Sequence, residues 1–244
     1  MREIRIYIES PLATGNELAL PPEPAHHVAR VLRLRAGQPL TLFNGHGGQY
    51  AATIQSISGR DVRVAVGEHQ AIERESPLDI TLVQAVSRGR HMDYTLQKAV
   101  ELGVNRIVPV MSEFGQVKLE GKRLPNRLEH WRGIVIAACE QCGRNRLPPV
   151  DTPQPFGRRL ETLPAGPVRL LLDPQSGQPL RDLSAPVAGI VILSGPEGGF
   201  SPDERQAALQ AGCHAVGLGP RVLRTETAAP AAITACQALW GDLG

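Results

Sequence analysis

Two glycine-bearing stretches near the C-terminus have residue types suited to holding a small molecule. They are Leu193-Ser194-Gly195-Pro196-Glu197-Gly198-Gly199-Phe200 and Leu218-Gly219-Pro220-Arg221-Val222-Leu223-Arg224-Thr225-Glu226-Thr227-Ala228. Each follows a short apolar run and precedes a helical pattern. Open α/β sheets bind ligands at loops that leave the carboxyl ends of strands, and glycine there lets a ligand approach the backbone. Two such loops in succession predict one shared pocket. Leu218, Val222 and Leu223 would form an apolar slot, and the turn from Gly195 to Gly199 an open floor. Leu172, at the end of another apolar run, is a third wall. For each glycine taken alone, a plain turn is the alternative.

The common nucleotide motifs do not fit these loops. A P-loop needs Lys-Ser or Lys-Thr after its last glycine, so that an ammonium reaches the terminal phosphates. Here Gly199 is followed by Phe200. The dinucleotide fingerprint G-x-G-x-x-G also fails, because Gly217-Leu218-Gly219 runs on to Val222. Neither an ATPase nor a simple NAD enzyme is expected.

Upstream, Gln97-Lys98-Ala99-Val100-Glu101-Leu102-Gly103-Val104 completes a set of three multi-residue motifs. In this order and spacing they resemble the RsmE family. Its members are S-adenosylmethionine-dependent methyltransferases of the SPOUT class that modify a uridine at N3 in 16S ribosomal RNA of the small subunit. The resemblance runs from Arg5-Ile6-Tyr7 through His26-His27-Val28-Ala29-Arg30-Val31-Leu32-Arg33 to the last residues, so it covers nearly the whole chain. It implies an α/β fold: a SPOUT-type methyltransferase domain with a C-terminal trefoil knot, preceded by a small PUA-like β-barrel. The expected division is residues 1–74 for the RNA-binding barrel and residues 75–244 for the methyltransferase domain. Without the resemblance, alternating strands and helices would predict an ordinary doubly wound sheet, since knots are nearly absent among proteins.

By the same resemblance, Gly195, Glu197, Gly198, Gly199, Leu218, Gly219, Val222, Leu223 and Thr225 are expected around S-adenosylmethionine, with Leu172 beside them. A homodimer is also implied, because SPOUT enzymes complete their sites across a two-fold interface. The apolar Ala238-Leu239-Trp240 near the end is a candidate contact stripe or, alternatively, intramolecular core.

Methyl transfer to uridine N3 requires loss of the N3 proton, because the neutral imide nitrogen has no useful lone pair. A guanidinium suits the anion left on O2 and O4, since it is always charged and presents fixed donors. Arg224 is the first candidate and Arg221 the second; a salt bridge from Arg224 to Glu226 or to a partner subunit is the competing role. Glu226 or Glu197 would act as base only where burial raises its pKa. Arg5, Arg30 and Arg33 in the barrel, with Arg88 and Arg90 after the first strand of the second domain, are expected on RNA phosphates.

Other polar residues have structural explanations. Ser201-Pro202-Asp203-Glu204 reads as a helix start, with a hydroxyl cap, proline in the first turn and two carboxylates at the positive end of the dipole. Thr225 or Glu226 reads as a cap for the last helix, with Pro230 in or just beyond its first turn. For Thr225, capping and ligand contact both remain open. Lys98 and Glu101 read as an ordinary helix pair. Cys139-Glu140-Gln141-Cys142 has the spacing of a redox pair or half a zinc site, but no second Cys-x-x-Cys exists and the pair falls inside a helical pattern. Packing is expected, with no metal.

Charge is unevenly placed. The 71 residues from 76 to 146 hold 11 basic and 7 acidic side chains, against 8 and 8 before them and 7 and 9 after. The middle third is therefore the better electrostatic footprint for RNA. Two other readings stay open: an RNA-binding factor of this fold without methyl transfer, and an α/β enzyme acting on a phosphorylated metabolite. No apolar run approaches the roughly 18–20 residues that span a bilayer. Met1-Arg2-Glu3 opens into a charged segment, so a cytoplasmic protein is expected.

Positioning these residues falls to two kinds of element. Asp61 to Val66 alternates with period two, Tyr50 to Ile57 is its partner, and glycines at 45, 47, 48, 59 and 67 supply turns. Between the early strands, Val28, Val31 and Leu32 predict a helix over 26–34 with Arg30 and Arg33 on another face. After Pro77 the period changes. Strands are predicted over 80–86, 106–111, 168–172, 189–193 and 215–218, and helices over 92–102, 126–141, after Ser201 and up to Trp240. Such alternation predicts a mostly parallel sheet covered on both faces.

Overall fold

A computed structural model describes residues 3–117, 121 and 123–244. Met1 and Arg2 of the charged opening lie outside the described residues. The chain divides into two compact units: Met1–Glu75 with Cys139–Leu147, and Ser76–Ala138 with Pro148–Gly244. The second segment of the first unit, contributed from far along the chain, is not apparent from sequence patterning.

In the first unit β1 (Arg5–Tyr7), β2 (Glu17–Ala19), β3 (Pro39–Phe43), β4 (Gln49–Ser58) and β5 (Asp61–Gln70) form a sheet in the order β1-β3-β4-β5-β2. The β4–β5 hairpin matches the sequence reading. Ser58 pairs with Asp61 across a two-residue loop whose first residue, Gly59, has φ +63. A type II′ turn needs glycine at that place. Val62, Val64 and Val66 alternate inward and join Ile6, Ile8, Leu42 and Ile54 in one core.

The helix predicted over 26–34 is different in the structure. A short helix, α1 (Pro22–His26), passes directly into a π-helical turn, His27–Val31, in which Leu32 N–H reaches back five residues to the His27 carbonyl. The wider turn breaks the 3.6-residue period. Val28 stays buried, but Val31 and Leu32 are exposed beside Arg30 and Arg33, and Arg33 has φ +52.

Arg5 requires a second correction, because its side chain is buried and not on the surface. Its guanidinium donates to Gln49 Oε1, the Arg144 carbonyl and Asn145 Oδ1, and lies 4.8 Å from the Phe43 ring centroid. Desolvation pushes it below the usual arginine value. It therefore holds the 139–147 segment within this unit and is withdrawn from any phosphate. Arg144, part of the positive middle of the sequence, is likewise buried and bonded to Glu75. The Glu140 carboxylate accepts the Tyr7 N–H at 2.9 Å, and burial raises its pKa. Cys139 is buried as well, with its thiol pushed up to about 12 by desolvation. Cys213 and Cys236 are buried too, and Cys142 is half-buried.

The second unit is built on β6 (Ile80–Ala85), β7 (Arg106–Met111), β8 (Gln154–Pro155), β9 (Val168–Leu172), β10 (Ile190–Ser194) and β11 (His214–Val216). Its strand order is β11-β9-β10-β6-β7-β8, and every pairing is parallel. The helices are α2 (Gly89–Glu101), α3 (Arg123–Cys142, divided between the units), α4 (Phe156–Glu161), α5 (Pro202–Gln210) and α6 (Thr225–Trp240). On one face Val83, Ala85, Val191 and Leu193 pack with Phe156 and Leu160 of α4 and Ala208 of α5. The alternate residues of the same strands point the other way, and there α6 packs on β6 and β10 and against α2. Predicted strands and long helices match within a few residues. The short β8 and α4 were not foreseen, because elements this short have no readable period.

Among the described residues no helix is long and apolar enough to cross a membrane. No three His, Cys, Asp or Glu side chains among them gather as a metal site would.

Candidate functional site

Since β6, β9, β10 and β11 are parallel neighbours, the chain leaves all four at the same edge of the sheet. A cavity of about 1010 Å³ opens there, the expected place for a ligand in such a sheet. It is lined by Leu172, Gly195, Glu197, Gly198, Gly199, Leu218, Val222, Leu223, Arg224, Thr225 and Glu226. These are the sequence-predicted residues, brought together from three strand ends. Gly219 is not part of the lining; its φ of +91 assigns it to the turn.

The first loop is held from below by its own aromatic residue. Phe200 stacks on Phe156 of α4 with ring centroids 4.5 Å apart, a pairing worth about 0.5–1.5 kcal/mol beyond burial. A side chain at Gly195 would press on the Gly199 backbone, so that glycine serves the fold of the loop. Gly199, which borders the cavity, has φ +71 and open space where a Cβ would stand. Ser201 Oγ accepts the Glu204 N–H while Glu204 accepts the Ser201 N–H, the reciprocal capping expected of Ser-Pro-Asp-Glu.

The second loop is not capped as expected. Arg224 is the N-cap of α6 and makes no side-chain cap bond. Thr225 instead donates from Oγ1 to the Gly195 carbonyl at 2.7 Å, tying one loop to the other. Pro230 lies beyond the first turn, inside the helix. Buried Gln84, at the end of β6, donates to the same carbonyl at 3.4 Å and to Thr225 Oγ1 at 3.3 Å. Two side chains thus fix where the loops meet. Gln84 was not singled out from the sequence, where a lone amide at a strand end carries no signal.

Each carboxylate at the cavity has a partner. Glu197 Oε1 accepts the backbone N–H of Arg88, the N-cap of α2, at 3.0 Å. Asp173 pairs with Arg205 at 2.7 Å. Glu226 pairs with His91 on α2, Nδ1 to Oε2 at 2.8 Å, and not with Arg224. His91 is the main residue that sequence reasoning missed: a single histidine in a helix's first turn has no pattern to mark it. Among the described residues Arg224 and Arg221 pair with no carboxylate, and both are exposed at the cavity. Arg88 and Arg90 are exposed at the start of α2 and do not line the cavity.

The arrangement suits a ligand with a flat apolar part, beside Leu172, Leu218 and Leu223, and a polar part along the glycine floor; Val222 borders the cavity but stands 81% exposed. Ser194 Oγ, fully buried at the cavity wall, makes no hydrogen bond among the described residues. Exposed guanidinium groups at the rim favour an anionic or polar partner.

Comparison with known proteins matches the chain to two family models. A family model for an RNA methyltransferase domain matches residues 74–237, and one for an RNA methyltransferase PUA domain matches residues 20–67. The ribosomal RNA small subunit methyltransferase E of Buchnera aphidicola subsp. Schizaphis graminum is 34% identical over 98% of this chain and 97% of its own length. Its namesake in Mycobacterium bovis is 32% identical over 94% and 89%. A crystal structure of the Neisseria gonorrhoeae ribosomal RNA small subunit methyltransferase E, bound to S-adenosyl methionine, superposes with a TM-score of 0.96. It is 42% identical, and the match covers 100% of both chains.

Proposed function

The chain belongs to the ribosomal RNA small subunit methyltransferase E family, and from that premise we propose that it methylates N3 of a specific uridine in 16S ribosomal RNA with S-adenosylmethionine. The observation that carries this reading is the convergence of Leu172, the Gly195–Gly199 turn and the Leu218–Thr225 loop on one cavity. A relative 42% identical over its whole length was crystallised with that donor. The cavity lies at the upper end of the roughly 300–1,000 Å³ usual for ligand sites, which leaves space for a nucleobase beside the donor.

S-adenosylmethionine supplies an electrophilic methyl group on a positively charged sulfur. Leu172, Leu218, Val222 and Leu223 take its adenine between apolar walls, while Gly195, Glu197, Gly198 and Gly199 border the ribose and methionine part. Thr225 acts indirectly, by locking the two loops together. Arg224 donates to uridine O2 or O4 as negative charge develops there. Holding N3 in line with the methyl carbon contributes much of the rate. Arg30, Arg33, Arg88 and Arg90 are exposed cations suited to RNA phosphates.

Residues 1–74 serve as the RNA-binding domain and residues 75–244 as the methyltransferase domain, in a cytoplasmic homodimer that uses no metal. A C-terminal trefoil knot belongs to the same reading. The 173–178 segment packs on the loop after β11. Asp173 N–H bonds the Val216 carbonyl, Gly217 N–H bonds the Gln178 carbonyl, and a Cβ at Gly217 would collide with the Ser176 carbonyl. Pulled from both ends, a knotted chain stops short of its full contour length, whereas an unknotted one reaches it. Titration with S-adenosylmethionine, ATP and NAD tests the donor assignment: saturable binding of the first alone is expected, and preferential binding of either nucleotide would overturn it.

A further inference from the structure

Removal of the N3 proton requires an acceptor, and the carboxylates at the cavity are poorly placed for it. Asp173 is held by the Arg205 guanidinium and Glu197 by the N-terminus of α2. Each of these carboxylates is thus already committed to a donor of its own. Glu226 is paired with His91. Glu226 Oε2 stands 2.8 Å from His91 Nδ1, and since an ionised carboxylate only accepts, a proton on Nδ1 is the arrangement that makes this approach favourable. In the neutral ring the other nitrogen, Nε2, then carries the lone pair. His91 itself lines the cavity, and its side chain is 39% exposed, open enough to meet a substrate.

Resting on the uridine-N3 reading above, we infer that His91 is the general base of the reaction and that Glu226 is the residue that positions it. The uridine N3–H bond breaks and its proton passes to His91 Nε2. The electron pair left on N3 forms the bond to the donor's methyl carbon, and the electrons of the broken carbon–sulfur bond stay on sulfur. The imidazolium so formed is stabilised by Glu226, and solvent at the open cavity takes the proton afterwards. Histidine is the side chain that changes charge between about pH 5 and 8, which matches a base working near neutrality. A base oriented by a third group through its other nitrogen is a recurrent catalytic geometry. Arg224 and Arg221 line the same cavity, and Arg88 and Arg90 precede His91 on its own segment.

The test combines single-turnover methyl transfer as a function of pH with ¹⁵N NMR of the His91 ring. The proteins compared are the wild type, His91→Asn, His91→Gln and Glu226→Gln. The wild-type rate is expected to rise tenfold per pH unit on the acid side and then level off. Either His91 variant should lose 10²-fold or more in rate and lose that rise, with donor affinity within threefold of wild type. The ring should show the Nδ1–H form in the wild type, and Glu226→Gln should change that population. A near-normal rate in both His91 variants, or a lowered rate with the pH rise intact, would overturn the inference. So would a wild-type ring that is protonated on Nε2 alone. A wild-type product methylated elsewhere than N3 would instead overturn the underlying reading, and nucleoside analysis tells the two failures apart.

Discussion

Thr225 Oγ1 donates to the Gly195 carbonyl at 2.7 Å, so one buried hydroxyl ties the start of α6 to the loop that leaves β10. Replacing it with Val keeps the shape and removes the bond, leaving that carbonyl, among the described residues, with the longer contact from Gln84. Thr225→Val should cost about 1–3 kcal/mol in urea unfolding and weaken S-adenosylmethionine binding, because the two loops no longer share a fixed junction. Unchanged stability together with unchanged donor affinity would show that the tie does not shape the site.

Gly199 has φ +71, and a Cβ there meets nothing within 4 Å. A valine at this position is strained by about 1–3 kcal/mol and projects into the space assigned to the donor. A Cβ at Gly198 would stand 3.0 Å from that of Phe114. Either glycine changed to Val should abolish donor binding with the fold largely intact. Calorimetry on a protein shown to be folded checks this, and wild-type affinity in either variant would contradict it.

Both glycine loops, Leu172 and the long elements were legible because each leaves a local mark: an apolar run of strand length, a helical period, or glycine at a turn. What was not legible depends on groups far apart in sequence. Arg5 reads as a surface cation until Gln49 and Asn145 are seen around it. Thr225 reads as a cap until the Gly195 carbonyl is found beneath it. The π-helical turn at His27–Val31 changes the residue period within a single turn, so the burial expected for Val31 and Leu32 does not occur. His91 acquires meaning only from Glu226, 135 residues later.

Arg30 and Arg224 are expected to have separable effects. Arg30 is exposed on the π-helical turn of the first unit. Arg30→Ala should weaken RNA binding and reduce the salt slope by about 1 while sparing donor affinity. Arg224 is exposed at the cavity. Arg224→Ala should lower single-turnover methyl transfer by about 10²–10³, as loss of a donor to developing negative charge does. A near-normal rate at saturating RNA and donor would remove it from catalysis.

Leu239, near the end of α6, is 46% exposed, and Tyr94 on the neighbouring α2 is 48% exposed. Exposed apolar side chains on adjacent helices fit a contact with a second copy of the chain. Sedimentation at micromolar concentration should give a dimer, and Leu239→Glu should shift it toward monomer. A fully active monomer would count against sites completed across a two-fold interface.

The central claim, methyl transfer to uridine N3, is tested most directly by the product. Small subunits or 16S ribosomal RNA lacking the modification are incubated with the protein and methyl-labelled S-adenosylmethionine, digested to nucleosides and separated against standards. The label should run with 3-methyluridine, at one position of the RNA. Label in a ribose-methylated nucleoside or in another base, or no transfer by folded, donor-binding protein to either substrate, would contradict the account.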